Sequence, residues 1–154
     1  MIEFKDIHKK YGKLEVLKGV NFTIKDGGII AILGPNGSGK TTSMKSFLGM
    51  VVPTKGDILF NGKSIKGQWA YREQISYLPQ IANFPSNLKV KELISMIKNI
   101  KKVPCNDQEL IELFGLQKHL NKSLGNLSGG TKQKVNLVLT FMVAVPVLVL
   151  DEPT

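Results

Sequence analysis

The chain has 154 residues, 42% of them hydrophobic, and a formal net charge of +9, which allows one domain with a real core. Its single cysteine, Cys105, excludes an internal disulfide framework and fits a reducing cytoplasmic setting. The first residues lack the apolar run of a secretory signal. The longest apolar stretch, residues 137–150, is too short to span a bilayer and is interrupted by Pro146. Only Arg72 among the 21 basic residues is an arginine, which weakens a nucleic-acid reading, because bidentate recognition of bases and phosphates favours arginine. The lysines are spread along the chain in short pairs such as Lys9-Lys10 and Lys101-Lys102. That is the pattern of a solvated surface, or of one lying near anionic lipid head groups. No nucleic-acid partner is expected.

In chain order, residues 2–4, 16–18 and 20–24 predict strands, with polar and apolar positions partly alternating. Asp26-Gly27-Gly28 is a turn signal. It leads into Ile29-Ile30-Ala31-Ile32-Leu33, an apolar run that predicts a buried parallel strand. Gly34-Pro35-Asn36-Gly37-Ser38-Gly39-Lys40-Thr41 follows and satisfies G-x-x-x-x-G-K-[ST] without a mismatch. Residues 41–50 carry Met44, Phe47 and Leu48 at helical spacing. Strand, glycine loop and helix together aim backbone N–H groups and a helix N-terminus at one anion. Lys40 is then placed to reach the β- and γ-phosphates of a nucleotide, and the Thr41 hydroxyl to bind Mg²⁺.

Further along, Pro53-Thr54-Lys55-Gly56 turns into a strand over 57–60, and Asn61-Gly62 is a two-residue hairpin signal. Residues 75–78 predict another strand, ending at Pro79-Gln80. From Val90 to about Leu120 the pattern is helical. Leu93, Ile94, Ile97 and Ile100 share one face; Leu110, Ile111, Leu113 and Phe114 lie on the next helix, which Gly115 ends. Cys105, in Val103-Pro104-Cys105-Asn106, is expected to be an idle loop residue before that second helix. Ser128 caps a long apolar helix that must stop near Pro146. Residues 147–150 predict a second buried parallel strand that enters Asp151-Glu152. Ligands of open α/β sheets bind beyond the C-terminal strand ends. Asp151 is therefore expected to face the phosphates and share Mg²⁺ with Thr41, and Glu152 to polarise an attacking water.

Leu127-Ser128-Gly129-Gly130, taken with the phosphate loop and Leu150-Asp151-Glu152-Pro153-Thr154, resembles the nucleotide-binding domain of ABC transporters. The resemblance covers the whole chain, with the motifs in the right order. It implies an α/β fold: a P-loop NTPase (RecA-like) core, an antiparallel β-subdomain at about 1–27 and 53–66, and a helical subdomain at about 82–126. All belong to one ATP-binding domain over 1–154.

The resemblance implies ATP and Mg²⁺ as cofactors. Gly34, Pro35, Asn36, Gly37, Ser38, Gly39, Lys40, Thr41 and Thr42 would bind ATP, with Tyr11 stacked on adenine. Thr41, Gln80 and Asp151 would meet the metal, and Glu152 would be the catalytic base. Leu127, Ser128, Gly129 and Gly130 would press on the γ-phosphate bound by a second ATP-binding subunit in a head-to-tail dimer. The implied role is the ATPase subunit of a transporter, peripheral on the cytoplasmic face of the membrane. Its transmembrane permease subunits would dock on the helical subdomain and be sensed through Gln80.

Two positions depart from the family pattern. Thr131 stands where glutamine is usual, and no side-chain role is carried over to it. Leu139 stands where many importers' ATPases have arginine. This apolar version is more similar to single-substrate exporter ATPases, or to the copper-processing group linked to nitrous oxide reductase maturation, and so points to export.

The resemblance also implies a D-loop, a strand inserted between residues 29–33 and 147–150, and a switch histidine. None of these is present by Thr154, so the chain is expected to be a piece of a longer protein. Without the inserted strand, the two apolar strands would have to pair directly or leave backbone groups unsatisfied. His8 and His119 precede the acidic motif and are expected to be surface residues. A soluble ABC-type ATPase acting on ribosomes or DNA, and a non-enzymatic remnant, stay open as other readings. A coiled-coil chromosomal type is disfavoured, because Lys40 and Ser128 are fewer than ninety residues apart with no heptad array between them.

Overall fold

Ten residues from Ile2 form the first strand, far beyond the three that alternation predicts. In this computed structural model, residues 1–101 and 104–152 are described; Lys102, Val103, Pro153 and Thr154 lie outside them. The chain divides into two units, Met1–Arg72 and a second from Glu73 onward.

In the first unit, β1 (Ile2–Tyr11) and β2 (Leu14–Ile24) pair antiparallel. Strands β3 (Lys55–Phe60) and β4 (Lys63–Ser64) complete a sheet of order β2-β1-β3-β4, with β2 and β4 at its edges. The ladder shifts register between Phe4 and Ile7 and again on either side of Lys9, and Asp6 takes φ of 50°. These bulges let two long strands stay paired where simple alternation breaks down, which is why the sequence pattern shows only fragments of them. Ile2, Phe4, Ile7, Leu17, Ile58 and Phe60 are buried, and Phe4 stacks on Phe22 at 4.2 Å. Asn61 and Gly62 have φ of 50° and 76°, both left-handed as a two-residue hairpin turn requires.

Helix α1 (Lys40–Phe47) is shorter than the predicted span; Gly49, at φ 67°, takes the chain out of the helix. Phe47 is buried and meets the rings of Phe60 and Tyr71 at 5.8 and 6.0 Å. Burying such a side chain contributes about 1.5–3 kcal/mol, so Phe47 fixes α1 to the sheet.

Residues 29–33 correct the sequence reading. They form no strand, and Ile29, Ile30, Ile32 and Leu33 are all exposed. Composition makes a segment suitable for a buried strand, but only neighbouring strands make it one. Among the described residues none pairs with it.

In the second unit, β5 (Ile75–Leu78) and β6 (Val147–Leu150) pair parallel, Ile75 opposite Val147 through to Leu78 opposite Leu150. The strand at 147–150 is therefore present but not buried on both faces: Leu148 and Leu150 are exposed, because α4 (Gly129–Phe141) covers only one face of the pair. Helices α2 (Val90–Lys101) and α3 (Asp107–Leu113) pack with α4 around Leu93, Ile94, Ile111, Val135 and Val138. Ile100 and Leu113, expected on the buried faces, are 65% and 73% exposed. Ile100 sits in the last turn of α2, past the core, and Leu113 falls on the far flank from Ile111. Gly115 ends the α3 segment with φ of 64°, as its position predicts.

Helix α4 stops five residues before Pro146, with Met142 as its C-cap. The chain is drawn off by Asn106, whose N–H donates to the Met142 carbonyl at 2.8 Å, and by a bridge between Cys105 and Val143. Neither histidine is the plain surface residue expected. His8 is a quarter exposed and lies between Glu15 and Asp6 at 3.1 and 3.0 Å; the Glu15 bond first, then the Asp6 bond, raises its pKa. His119 has a buried Nδ1 without a partner among the described residues.

Candidate functional site

Two groups of predicted site residues are brought together, one in each unit. In the first, Gly34 to Gly39 form a loop ahead of α1. The Ser38 N–H donates to the Pro35 carbonyl at 3.2 Å, and the Lys40 ammonium folds over to the carbonyls of Gly34 and Pro35 at 2.8 and 3.1 Å. Gly39 takes φ of 91° as the α1 N-cap. A Cβ there would lie 2.6 Å from Leu17 Cδ2 and 3.2 Å from the Val16 carbonyl oxygen. Only glycine meets both demands at once.

Helix α1 starts with no side-chain cap and no acidic residue in its first turn. Its positive end is left uncompensated, which suits an anion. The residues therefore fit a phosphate chain: a cationic Lys40, a backbone cradle and an uncapped helix start. Thr41 and Thr42 occupy the first turn and are half-buried. Tyr11, at the end of β1, is 49% exposed, with the Lys9 ammonium 5.0 Å from its ring centroid.

In the second unit, the ends of the two parallel strands collect Tyr77, Gln80, Asp151 and Glu152. Asp151 is 2% exposed, and its N–H donates to the Leu78 carbonyl at 3.0 Å, continuing the ladder. The Tyr77 hydroxyl donates to its Oδ2 at 3.3 Å. Gln80 Nε2 donates to Glu152 Oε2 at 2.5 Å. Glu152 is exposed and has φ of 49°, a left-handed conformation that costs a non-glycine residue about 1–3 kcal/mol and is concentrated at functional sites. Among the described residues no group of three or more His, Cys, Asp or Glu side chains is placed to hold a metal. A cation here would rely on one or two carboxylates plus phosphate and water, as Mg²⁺ does.

Tyr77 is a residue that the sequence reading missed. Burial, then the charge of Asp151 and the hydrogen bond to it, push its phenol up to about 12. The folded state holds this proton more tightly than the unfolded chain. The contribution to stability is therefore complete below pH 10 and is lost as the pH rises from 10 to about 12. The phenolate absorbance of the unsubstituted protein minus that of Tyr77→Phe should have its midpoint near pH 12; a midpoint at 10 would contradict the burial of this hydroxyl.

At the start of α4, Ser128 is the N-cap and accepts from the Thr131 N–H at 3.3 Å, and the two hydroxyls lie 2.9 Å apart. Thr131, with no role in the sequence reading, thus has one as capping partner. Leu127 is buried in the helical core and anchors the motif. A Cβ added to Gly129 or to Gly130 would meet nothing within 4 Å.

The sequence model of the ABC transporter family matches residues 17–154. The chain belongs to that family. Among curated ABC proteins, it is 34% identical to the spermidine/putrescine import ATP-binding protein PotA of Clostridium novyi, over 99% of this chain and 46% of that one. It is 31% identical to the Nod factor export ATP-binding protein I of Burkholderia orbicola, over 99% and 52%. A solved ATP-binding cassette, dimeric in a post-hydrolysis state and bound to ADP and Pi, superposes with a TM-score of 0.84 at 25% identity, over 100% of this chain and 75% of that one.

The fold is that of an ABC-type P-loop NTPase domain. The chain spans about half the length of the curated relatives it matches. An importer and an exporter both stand among them, so the similarity carries the ATP-binding role and not the direction inferred from Leu139. Among the described residues no helix is long and apolar enough to cross a membrane.

Proposed function

We propose that this chain is the nucleotide-binding part of an ABC transporter's ATP-hydrolysing subunit. The observation that carries the reading is the start of α1, an uncapped, acid-free helix N-terminus behind a loop closed by Lys40. In this reading, Gly34 to Thr42 hold the phosphates of ATP and Tyr11 faces the adenine. Thr41, Asp151 and Gln80 supply oxygens to Mg²⁺, whose chemistry when bound is to neutralise charge on the β- and γ-phosphates. The exposed Glu152 carboxylate orients and deprotonates the attacking water, and its bond from Gln80 fixes its direction.

The open space over Gly129 and Gly130 supports the remaining part of the reading. Among the described residues nothing approaches the position of a Cβ at either glycine, so the turn presents bare backbone to an outside ligand. In the reading that ligand is the γ-phosphate of ATP held by a second copy of the subunit, with permease subunits as the membrane partners on the cytoplasmic face.

The test is MgATP binding. At about 100 times its Kd, MgATP should stabilise the protein by ~2.7 kcal/mol, whereas MgCl₂ with AMP, which lacks the β- and γ-phosphates, should do far less. An unchanged unfolding curve in MgATP would overturn the reading.

A further inference from the structure

Helix α4 contains two polar side chains on its buried stripe, one turn apart. Asn136 is 4% and Thr140 3% exposed. Asparagine is a poor helix former, and a buried amide is costly unless it is hydrogen-bonded. An apolar side chain would pack there without either cost. The bonds of Asn136 therefore need an explanation.

Asn136 Nδ2 donates to the Pro79 carbonyl at 3.2 Å. Thr140 Oγ1 donates to the Asn136 carbonyl at 2.8 Å and lies 3.4 Å from the Tyr77 carbonyl. The buried Ser76 hydroxyl donates to the Thr140 carbonyl at 2.7 Å. β5 and the residue that follows it are thus attached to α4 at three points: Ser76, Tyr77 and Pro79.

The Pro79 contact is the one that matters beyond packing. The β5–β6 ladder ends where the Asp151 N–H bonds to the Leu78 carbonyl, so the Pro79 carbonyl has left the sheet. The next residue is Gln80, whose amide donates to Glu152. The other end of α4 is the Ser128-capped turn with Gly129 and Gly130. One rigid helix therefore joins that turn to the backbone from which Gln80 projects.

We infer that Asn136 is a positioning residue that sets the direction of Gln80 toward Glu152 and ties it to the start of α4. The inference rests on the reading of Glu152 and Gln80 given under Proposed function, but its geometry is independent of that reading. An alanine at 136 would keep the helix and lose the link.

The experiment compares Asn136→Ala and the milder Asn136→Ser with Thr140→Val in the full-length protein. Thr140→Val removes a hydroxyl from the same buried stripe and leaves the Pro79 bond in place. In ¹H–¹⁵N spectra without nucleotide, both Asn136 variants should shift the Gln80 side-chain amide toward its solvent-exposed position, and Thr140→Val should leave it unmoved. In turnover, Asn136→Ala should lower kcat by about tenfold, with the KM for ATP within about twofold.

An unmoved Gln80 amide in the Asn136 variants overturns the inference, and so does an equal shift in Thr140→Val, which would mark a general loosening. A shifted amide with unchanged kcat upholds the positioning and removes Gln80 and Glu152 from the proposed chemistry.

Discussion

Glu152→Gln in the full-length protein should bind MgATP with unchanged affinity and hydrolyse it about 10²–10⁴-fold more slowly, the range for loss of a positioned general base. Glutamine has the size of glutamate and still offers a carbonyl oxygen to Gln80 Nε2, so the hydrogen bond that now joins the two side chains survives. What is lost is the ability to take a proton. Single-turnover hydrolysis alongside equilibrium binding separates the two effects: binding intact with hydrolysis lost identifies the base. Near-normal turnover would move that role elsewhere and leave the left-handed backbone of Glu152 without a catalytic explanation.

Lys40→Ala should weaken MgATP binding by ~10²-fold, because a hydrogen bond from a charged donor contributes about 1.5–3 kcal/mol and the ammonium is placed to make more than one. In the structure those donors satisfy the carbonyls of Gly34 and Pro35, which shows that the side chain already lies along the loop rather than in solvent. Lys40→Arg should not rescue binding, since a planar guanidinium cannot replace a compact ammonium in a loop of this size. Titration of both variants with MgATP, with circular dichroism to show intact folding, decides the matter. Unchanged affinity in Lys40→Ala would remove the loop from nucleotide binding.

The conformation of the glycine loop was legible because its requirements are local. Gly39 needs a left-handed backbone and a missing Cβ, and Lys40 closes on residues five and six positions earlier. The Asn61-Gly62 hairpin was legible for the same reason. The Ser128 cap, too, is satisfied three residues away.

What failed to show depends on partners distant in the chain. Residues 29–33 have the composition of a central strand, yet pairing is a property of neighbours, and their exposure reflects the lack of one among the described residues. Ile100 has the right angular position and the wrong height on its helix. Asn136 reads as a stray polar residue in an apolar helix until Pro79, 57 positions earlier, is seen to accept its amide. Tyr77 reads as one more strand residue until Asp151 comes alongside it.

The pair Gly129 and Gly130 has a consequence for how this sequence can be improved. Glycine is a poorer helix former than alanine, both residues lie in the first turn of α4, and the space above both is open. A procedure that ranks substitutions by folding stability alone would therefore fill both positions with alanine, and the resulting protein would be harder to unfold. It would also carry two methyl groups on the surface proposed to meet a second subunit's nucleotide. Selection for stability and selection for turnover pull this short turn in opposite directions, and the glycines record which of the two has prevailed.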